Sequence, residues 1–391
     1  MSIAPILTEQ ERDRRYSAIR KYMRERDLGA ILIGGEGSND HNIRYFTGQY
    51  YRIVWGSALL LLTPNGEPVL FMGSKVRKYL LNNYRMVAPK DYWVQEVKPF
   101  TSDTIAGALK ERDFTGTRVG VPMTSITAAS YQELVAALPG KEIVDVSKDL
   151  LLMRRVRSDE ELKCLRGACE LADAAWKRLL ATAKVGMTTH QILAACEHEM
   201  FYGGADRAFN LLTVGQDVTR PIFTSIHRPV TAKAGDWLLA ELTTSYGGYW
   251  NQNVYLGCLG EPPAQFREMY KVSRAVTHTI ERMLKPGVLC SDIAQTMDQE
   301  VEKAGYLGNG AIGGVPHGHI LGLDIDELSI APDLDTPIEE GWTFVIHPNV
   351  AVKGWEVGKP GIFGPATTFA ITKNGSRRLL QEEPELGIIP V

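Results

Sequence analysis

The 391-residue chain is 44% hydrophobic and 23% charged, the balance of an ordinary globular protein, and its length points to two domains. A formal net charge of −3 gives no general attraction to nucleic acid or to an anionic membrane. No apolar run reaches membrane-spanning length, and the charged opening MSIAPILTEQERDRRYSAIRKYMRERD lacks the apolar core and cleavage site of a secretory signal, so a cytoplasmic location is expected. The cysteines Cys164, Cys169, Cys196, Cys258 and Cys290 are odd in number and form no CxxC pair. That argues against disulfides and a cysteine zinc site, and neither Cys258 nor Cys290 has an obvious activating neighbour.

In chain order, residues Thr8 to Asp27 are predicted as a helix, LGAILIGG as a buried strand, and HNIRYFTG as a loop or strand start. GSALLLLTPNGEPVLFMG carries two apolar runs about a PNGE turn, a hairpin pattern. Short strands and amphipathic helices then alternate, for example TRVGVPM followed by SYQELVAAL, up to KEIVDVSKDLLLMRRV. This defines a compact α/β domain over residues 1–154. The pattern changes at Arg157 and opens a second domain over residues 155–391. SDEELKCLRGACELADAAWKRLLATA is a long helix started by Ser158, with acids in its first turn and Leu162, Leu165, Cys169 and Leu171 marking its buried face. GMTTHQILAACEHEMFYGGA follows as loop and helix. From Phe209 onward strands dominate: FNLLTVG, DWLLAELTTSYGGYWNQNVYLGCLG, GWTFVIHPNVAVKG and TTFAITKNG. The helices PPAQFREMYKVSRAVTHTIERML and CSDIAQTMDQEVEKAG lie between them. The second domain therefore reads as α+β, with helices packed on a curved antiparallel sheet. No repeat of solenoid period and no low-complexity tract occurs.

Several polar residues sit where strands should be apolar. His347 is planted in FVIHPNV, where an unpaired polar group is costly, so it either hydrogen-bonds within the core or lines a site. Glu241, inside WLLAELTTS, should hold a proton, contact a histidine or bind a cation. His317 and His319 alternate in GGVPHGHILG, so on an extended segment they share a face, and the glycines allow close approach of a backbone or ligand. Tyr249, Trp250, Asn251, Gln252 and Asn253 form an aromatic and amide cluster able to stack on planar groups and orient neutral polar ones.

These stretches resemble the creatinase/prolidase/aminopeptidase superfamily, the pita-bread fold. NIRYFTG resembles that family's N-terminal NxxYxTG, and MRRVRSDEELKCLRGACELADAA its domain-joining helix. AGDWLLAELTTSYGGYWNQN resembles the strand pair GDxxxxDxG…GYxxD, and GHILGLDIDE resembles GHGIGLxxHE. EEGWTFVIHPNV resembles GMxFTxEPG, and TTFAITKNG the final EDxxxVTxxG. Metal-dependent members hold two ions with two Asp, one His and two Glu. By the resemblance these positions fall on Glu241, Gln252, His319, His347 and Ala366. Two hard cations need several carboxylates, and here only Glu241 remains, so no dinuclear centre and no cofactor is expected. The alternative is one zinc or iron ion on Glu241, His319 and His347, with His227 or His317 as a fourth ligand. Creatinase is the precedent in this fold for a site without metal. KPGVLCSDIA resembles its matching helix start, and SIHRPVTAKAGD places a His-x-Pro before the strand, which carries the general-base role onto His227. Its two site glutamates fall on Val254 and His347, so the substrate is not expected to be creatine. In creatinase-like dimers the N-terminal domain of one subunit reaches the other's site. The resemblance makes Arg52, in TGQYYRIVWGS, a clamp for a substrate carboxylate, walled by Tyr50, Tyr51 and Trp55.

The reading is a homodimeric, creatinase-like hydrolase of a carbon–nitrogen bond in a small polar metabolite. His227, Glu241, His319 and His347 act in catalysis, and Arg52, Tyr249, Trp250, Gln252 and His317 bind substrate. The rivals are a lyase or hydrolase using the single-ion site and a pita-bread binding protein without catalysis.

Overall fold

The computed structural model describes residues 7–36, 41–48, 57–73, 75, 78–79, 82–83, 86, 92–215, 217–218, 229–312, 316–356, 359–380, 383 and 385–391. They fall into two compact units, one ending at Arg154 and one running from Arg155 to Val391.

Among the described residues of the first unit, six strands form one mixed sheet. At its centre Ala30–Glu36 runs antiparallel to Ser57–Leu62 and parallel to Arg118–Val121. Ser57–Leu62 and Val69–Met72 close the expected hairpin, with Leu61 opposite Val69. Glu96–Pro99 and Glu142–Asp145 add the parallel edges. Alternate residues Ala30, Leu32, Leu59, Leu61, Val69 and Phe71 reach one core, met by Ile105, Leu109 and Leu134 from the helices Ser102–Glu111 and Ala128–Ala137.

The opening helix, Glu9–Glu25, starts where the Thr8 hydroxyl accepts a hydrogen bond from the Glu11 amide. From this helix the buried Arg15 donates to Glu11 at 2.7 Å and to the Tyr45 carbonyl at 2.6 Å, and the Tyr16 hydroxyl donates to the Phe46 carbonyl at 2.9 Å. Those acceptors are the C-terminal carbonyls of a helix, His41–Thr47. The loop or strand start expected from HNIRYFTG is therefore corrected to a helix. Asn42 to Thr47 are all buried, so the segment has no polar face and shows no 3.6-residue stripe in the sequence. Its last carbonyls are satisfied from a distant element instead of by a local cap.

The second unit holds the curved antiparallel sheet expected from the sequence. Leu211–Gly215, Trp237–Leu242 and Asn253–Leu259 run antiparallel, with Gly387–Ile389 parallel along the outside of Asn253–Leu259. A second antiparallel sheet follows the order Leu328–Ile330, Gly318–Ile320, Thr343–Ile346, Thr368–Thr372, Gly375–Arg378. A bridge between Val254 and Ala366 ties the two. Period-two alternation sorts the side chains between two cores. Trp237, Leu239, Val254, Leu256 and Cys258 pack with Phe266, Met269, Ile293 and Met297 from the helices Ala264–Met283 and Cys290–Lys303. Leu238, Ala240, Leu242 and Tyr255 pack instead against Ala172, Ala175, Trp176 and Leu179 from the helix Asp159–Thr182. Glu241 continues the parity of Trp237 and Leu239, and Gln252 that of Val254, so both belong to the face of the first core.

The helix Asp159–Thr182 begins with a reciprocal cap. The Glu161 amide donates to the Ser158 hydroxyl at 3.3 Å, and the Ser158 amide donates to the Glu161 carboxylate at 2.8 Å. Leu162, Leu165 and Cys169 lie on its buried face as expected, whereas Leu171 is only partly buried and Ala172 takes the place against the sheet. Among the described residues no helix is long and apolar enough to cross a membrane.

Candidate functional site

Four segments of the second unit bring a carboxylate, a carboxamide and two imidazoles together. Glu241 is the penultimate residue of the Trp237–Leu242 strand, and Gln252 leads into Asn253–Leu259, one diagonal step away in a pair where Glu241 faces Val254. His319 is the middle residue of Gly318–Ile320, and His347 follows directly on Thr343–Ile346. Those two strands pair with His319 opposite Val345, so His347, two residues beyond Val345, lies one diagonal step from His319. Gly318 has φ +156°, and a Cβ there would run into the Val345 carbonyl oxygen, so the approach of these strands depends on glycine.

Gln252 connects the other three. Its Nε2 donates to Glu241 Oε1 at 2.6 Å. Its Oε1 lies 2.6 Å from His319 Nε2 and 3.1 Å from His347 Nε2, and the two Nε2 atoms are 3.4 Å apart. The rings of His319 and His347 are 5.4 Å apart between centroids, and Phe363 lies 4.7 Å from the other side of His347. Among the described residues no protein partner reaches Nδ1 of His347, whereas the His319 ring has the Ile325 and Ile320 backbones beside it. Burial raises the Glu241 carboxyl pKa to about 7, with the Gln252 hydrogen bond opposing the shift. Burial likewise lowers the pKa of His319, opposed by Asp326, and it lowers His347 well below the usual imidazole value, helped by the adjacent His319. The arrangement offers a carboxyl group that changes charge near neutrality beside two imidazoles kept neutral.

The other expected residues stand elsewhere. The His317 ring meets Asp298 at 2.9 Å, on the helix Cys290–Lys303, while its backbone carbonyl accepts from the His347 amide at 2.9 Å. Tyr249 is corrected, because its hydroxyl donates to Glu161 at 2.9 Å and so braces the helix cap. Trp250 is a buried strand residue opposite Ser245, its amide donating to the Gly322 carbonyl at 2.7 Å. His227 lies outside the described residues, as do Arg52, Tyr50, Tyr51 and Trp55. The sequence reading missed Asn349. It is fully buried, its Oδ1 accepts from the Gly364 amide at 3.2 Å, and its Nδ2 has no protein partner among the described residues. The signal was present in FVIHPNV, which plants two polar residues and not one.

The donor set does not fit a pair of metal ions. Gln252 places an amide between the one carboxylate and the imidazoles, and Ala366, buried beside Val254, has no ligating atom. At the positions of the single-ion alternative, Glu241 Oε1 lies against Gln252 Nε2, and His319 Nε2 and His347 Nε2 lie against Gln252 Oε1. Among the described residues no three His, Cys, Asp or Glu side chains converge as a ligand set.

Residues 163–373 match the metallopeptidase family M24, and residues 15–158 match the creatinase/prolidase N-terminal domain. The chain belongs to family M24, and it is a hydrolase of carbon–nitrogen bonds. It is 25% identical over 368 residues to an Xaa-Pro dipeptidase of Lactobacillus helveticus, covering 90% of this chain and 94% of that one. It is 24% identical over 373 residues to an ectoine hydrolase of Halomonas elongata, covering 89% and 91%. The solved X-Pro aminopeptidase of Thermotoga maritima superposes with a TM-score of 0.80 at 17% identity over 96% of this chain and 99% of that one, which establishes the fold.

Proposed function

We propose that the chain hydrolyses a carbon–nitrogen bond of a small polar metabolite without a dinuclear metal centre. The observation that supports this most is the single carboxamide of Gln252 joining Glu241 to His319 and His347. In this reading Glu241, His319 and His347 form the polar wall that orients substrate, and His227 is the general base. Water adds to the substrate carbon and its proton passes to His227. The carbon–nitrogen bond then breaks, and the departing nitrogen takes that proton. A positioned base of this kind contributes roughly 10²–10⁴-fold. Relatives named for Xaa-Pro dipeptides and for ectoine mark two substrate classes to try first. The protein is further proposed to act in the cytoplasm as a two-fold dimer, with Arg52 clamping a substrate carboxylate in the partner's site.

The test is turnover of the full chain on Xaa-Pro dipeptides and on cyclic amidines such as ectoine, before and after chelation, with His227→Ala and Glu241→Gln alongside. The expected result is a rate on one class that survives chelation and falls at least a hundredfold in His227→Ala. A rate abolished by chelation and restored by manganese overturns the metal-free reading.

A further inference from the structure

We infer that Gln252 is a positioning residue whose carboxamide holds Glu241, His319 and His347 as a metal pair would hold its ligands, and that it does so by fixing a histidine tautomer incompatible with metal. The inference rests on the reading of these four residues as the site, but not on which substrate is hydrolysed.

An amide presents a different group at each end. Facing an ionised carboxylate, Gln252 must present its NH2 to Glu241 Oε1, and its carbonyl oxygen therefore faces both rings. A carbonyl oxygen 2.6 Å from His319 Nε2 and 3.1 Å from His347 Nε2 requires a hydrogen on each nitrogen. The two N–H groups converge on one acceptor, with the Nε2 atoms 3.4 Å apart. A metal-bound imidazole nitrogen is the reverse case. It must be bare, and the hydrogen then sits on Nδ1, commonly facing a backbone carbonyl. The same Nε2 atoms cannot be in both states. The rings are placed for the amide, and with Ala366 in the remaining ligand position no second carboxylate competes for them.

The tautomers are directly observable in the full chain labelled with 15N-histidine, by two-bond proton–nitrogen spectra at mildly alkaline pH, where Glu241 is ionised. The expected result is the Nε2–H tautomer for both His319 and His347, assigned by His319→Asn and His347→Asn, and unchanged by millimolar zinc chloride or by chelator. In Gln252→Met the acceptor is gone, and an Nδ1–H population should appear. Finding either ring as Nδ1–H in the wild type, or a zinc-induced shift of these resonances, overturns the inference. A second arm restores the family's ligand chemistry with the combined substitutions Gln252→Asp, His347→Glu and Ala366→Glu. Its melting temperature should rise with manganese while that of the wild type does not; a manganese-dependent rise in the wild type also overturns the inference. If the combined variant fails to fold, the wild-type spectra decide alone. None of these readouts uses turnover, so a chain that hydrolyses nothing yet shows both Nε2–H tautomers refutes the proposed function and leaves the role of Gln252 standing.

Discussion

At Gln252 both ends of one side chain are satisfied inside the protein, one by Glu241 and the other by the two rings. Replacing it with leucine keeps the volume and removes every hydrogen bond. Each buried group left unpaired costs about 1–3 kcal/mol, so Gln252→Leu should be clearly less stable in urea denaturation; an unchanged midpoint would show that the network is not intact in solution. Glu241 gives a second expectation. Its carboxyl pKa is about 7 when folded against an ordinary 4.5. The unfolded chain ionises first, so a contribution present below the unfolded value is lost as pH rises through the folded one. Such a shift in a buried group amounts to a few kcal/mol. Wild-type stability should therefore decline between about pH 4.5 and pH 7, and Glu241→Gln should flatten that slope. Equal slopes in the two proteins would mean that Glu241 is ionised throughout.

At the scale of elements, Ser158 shows a local rule carrying through to the fold. It was legible as a helix start because a serine precedes three acids, and the structure adds that Glu161 serves both the cap and the Tyr249 hydroxyl. Ser158→Ala should cost about 1 kcal/mol, read as a lower thermal midpoint, as for other lost caps. Ser158→Asp should recover most of it, which separates the cap from any packing effect. The segment His41–Thr47 shows the opposite. It is helical because Arg15 and Tyr16 reach its carbonyls from another helix, and no property of HNIRYFTG itself records those donors.

At the scale of the second unit, an ion cluster fastens the C-terminal segment to the core. Glu383 accepts from Arg274 at 2.6 Å, pairs with Arg378 at 3.0 Å and contacts His278 at 2.9 Å. Burial works against its ionisation, yet the hydrogen bonds from Arg274, His278 and Arg378 hold its pKa at about 2. A depressed carboxylate stabilises above its unfolded pKa and loses that contribution as pH falls through the folded value. Glu383→Gln should therefore melt lower than wild type at neutral pH, and the difference should vanish toward pH 2. A difference that persists in acid would assign the effect to packing. The cluster is partly exposed, so salt should reduce it.

By itself the sequence determined the family-scale architecture. The apolar runs of WLLAELTTS and FVIHPNV, the capped helix after Arg157 and the order of the segments are local properties, and they survive into the sheet and helix that bury them. It also marked Glu241, His319 and His347 as residues too polar for their strands. Only the tertiary structure decided what they do there. Sequence spacing could not separate His317 from His319, because their partners lie far off in the chain, Asp298 nineteen positions before His317 and Gln252 67 positions before His319. Nor could it assign Tyr249 to Glu161, 88 residues away. Gln252 was legible as one amide in a polar cluster, whereas its role as the link depends on strands separated by as many as 95 residues meeting within hydrogen-bond distance. A hydrogen bond requires about 3 Å and a direction, and strand pairing fixes both only once the chain has folded.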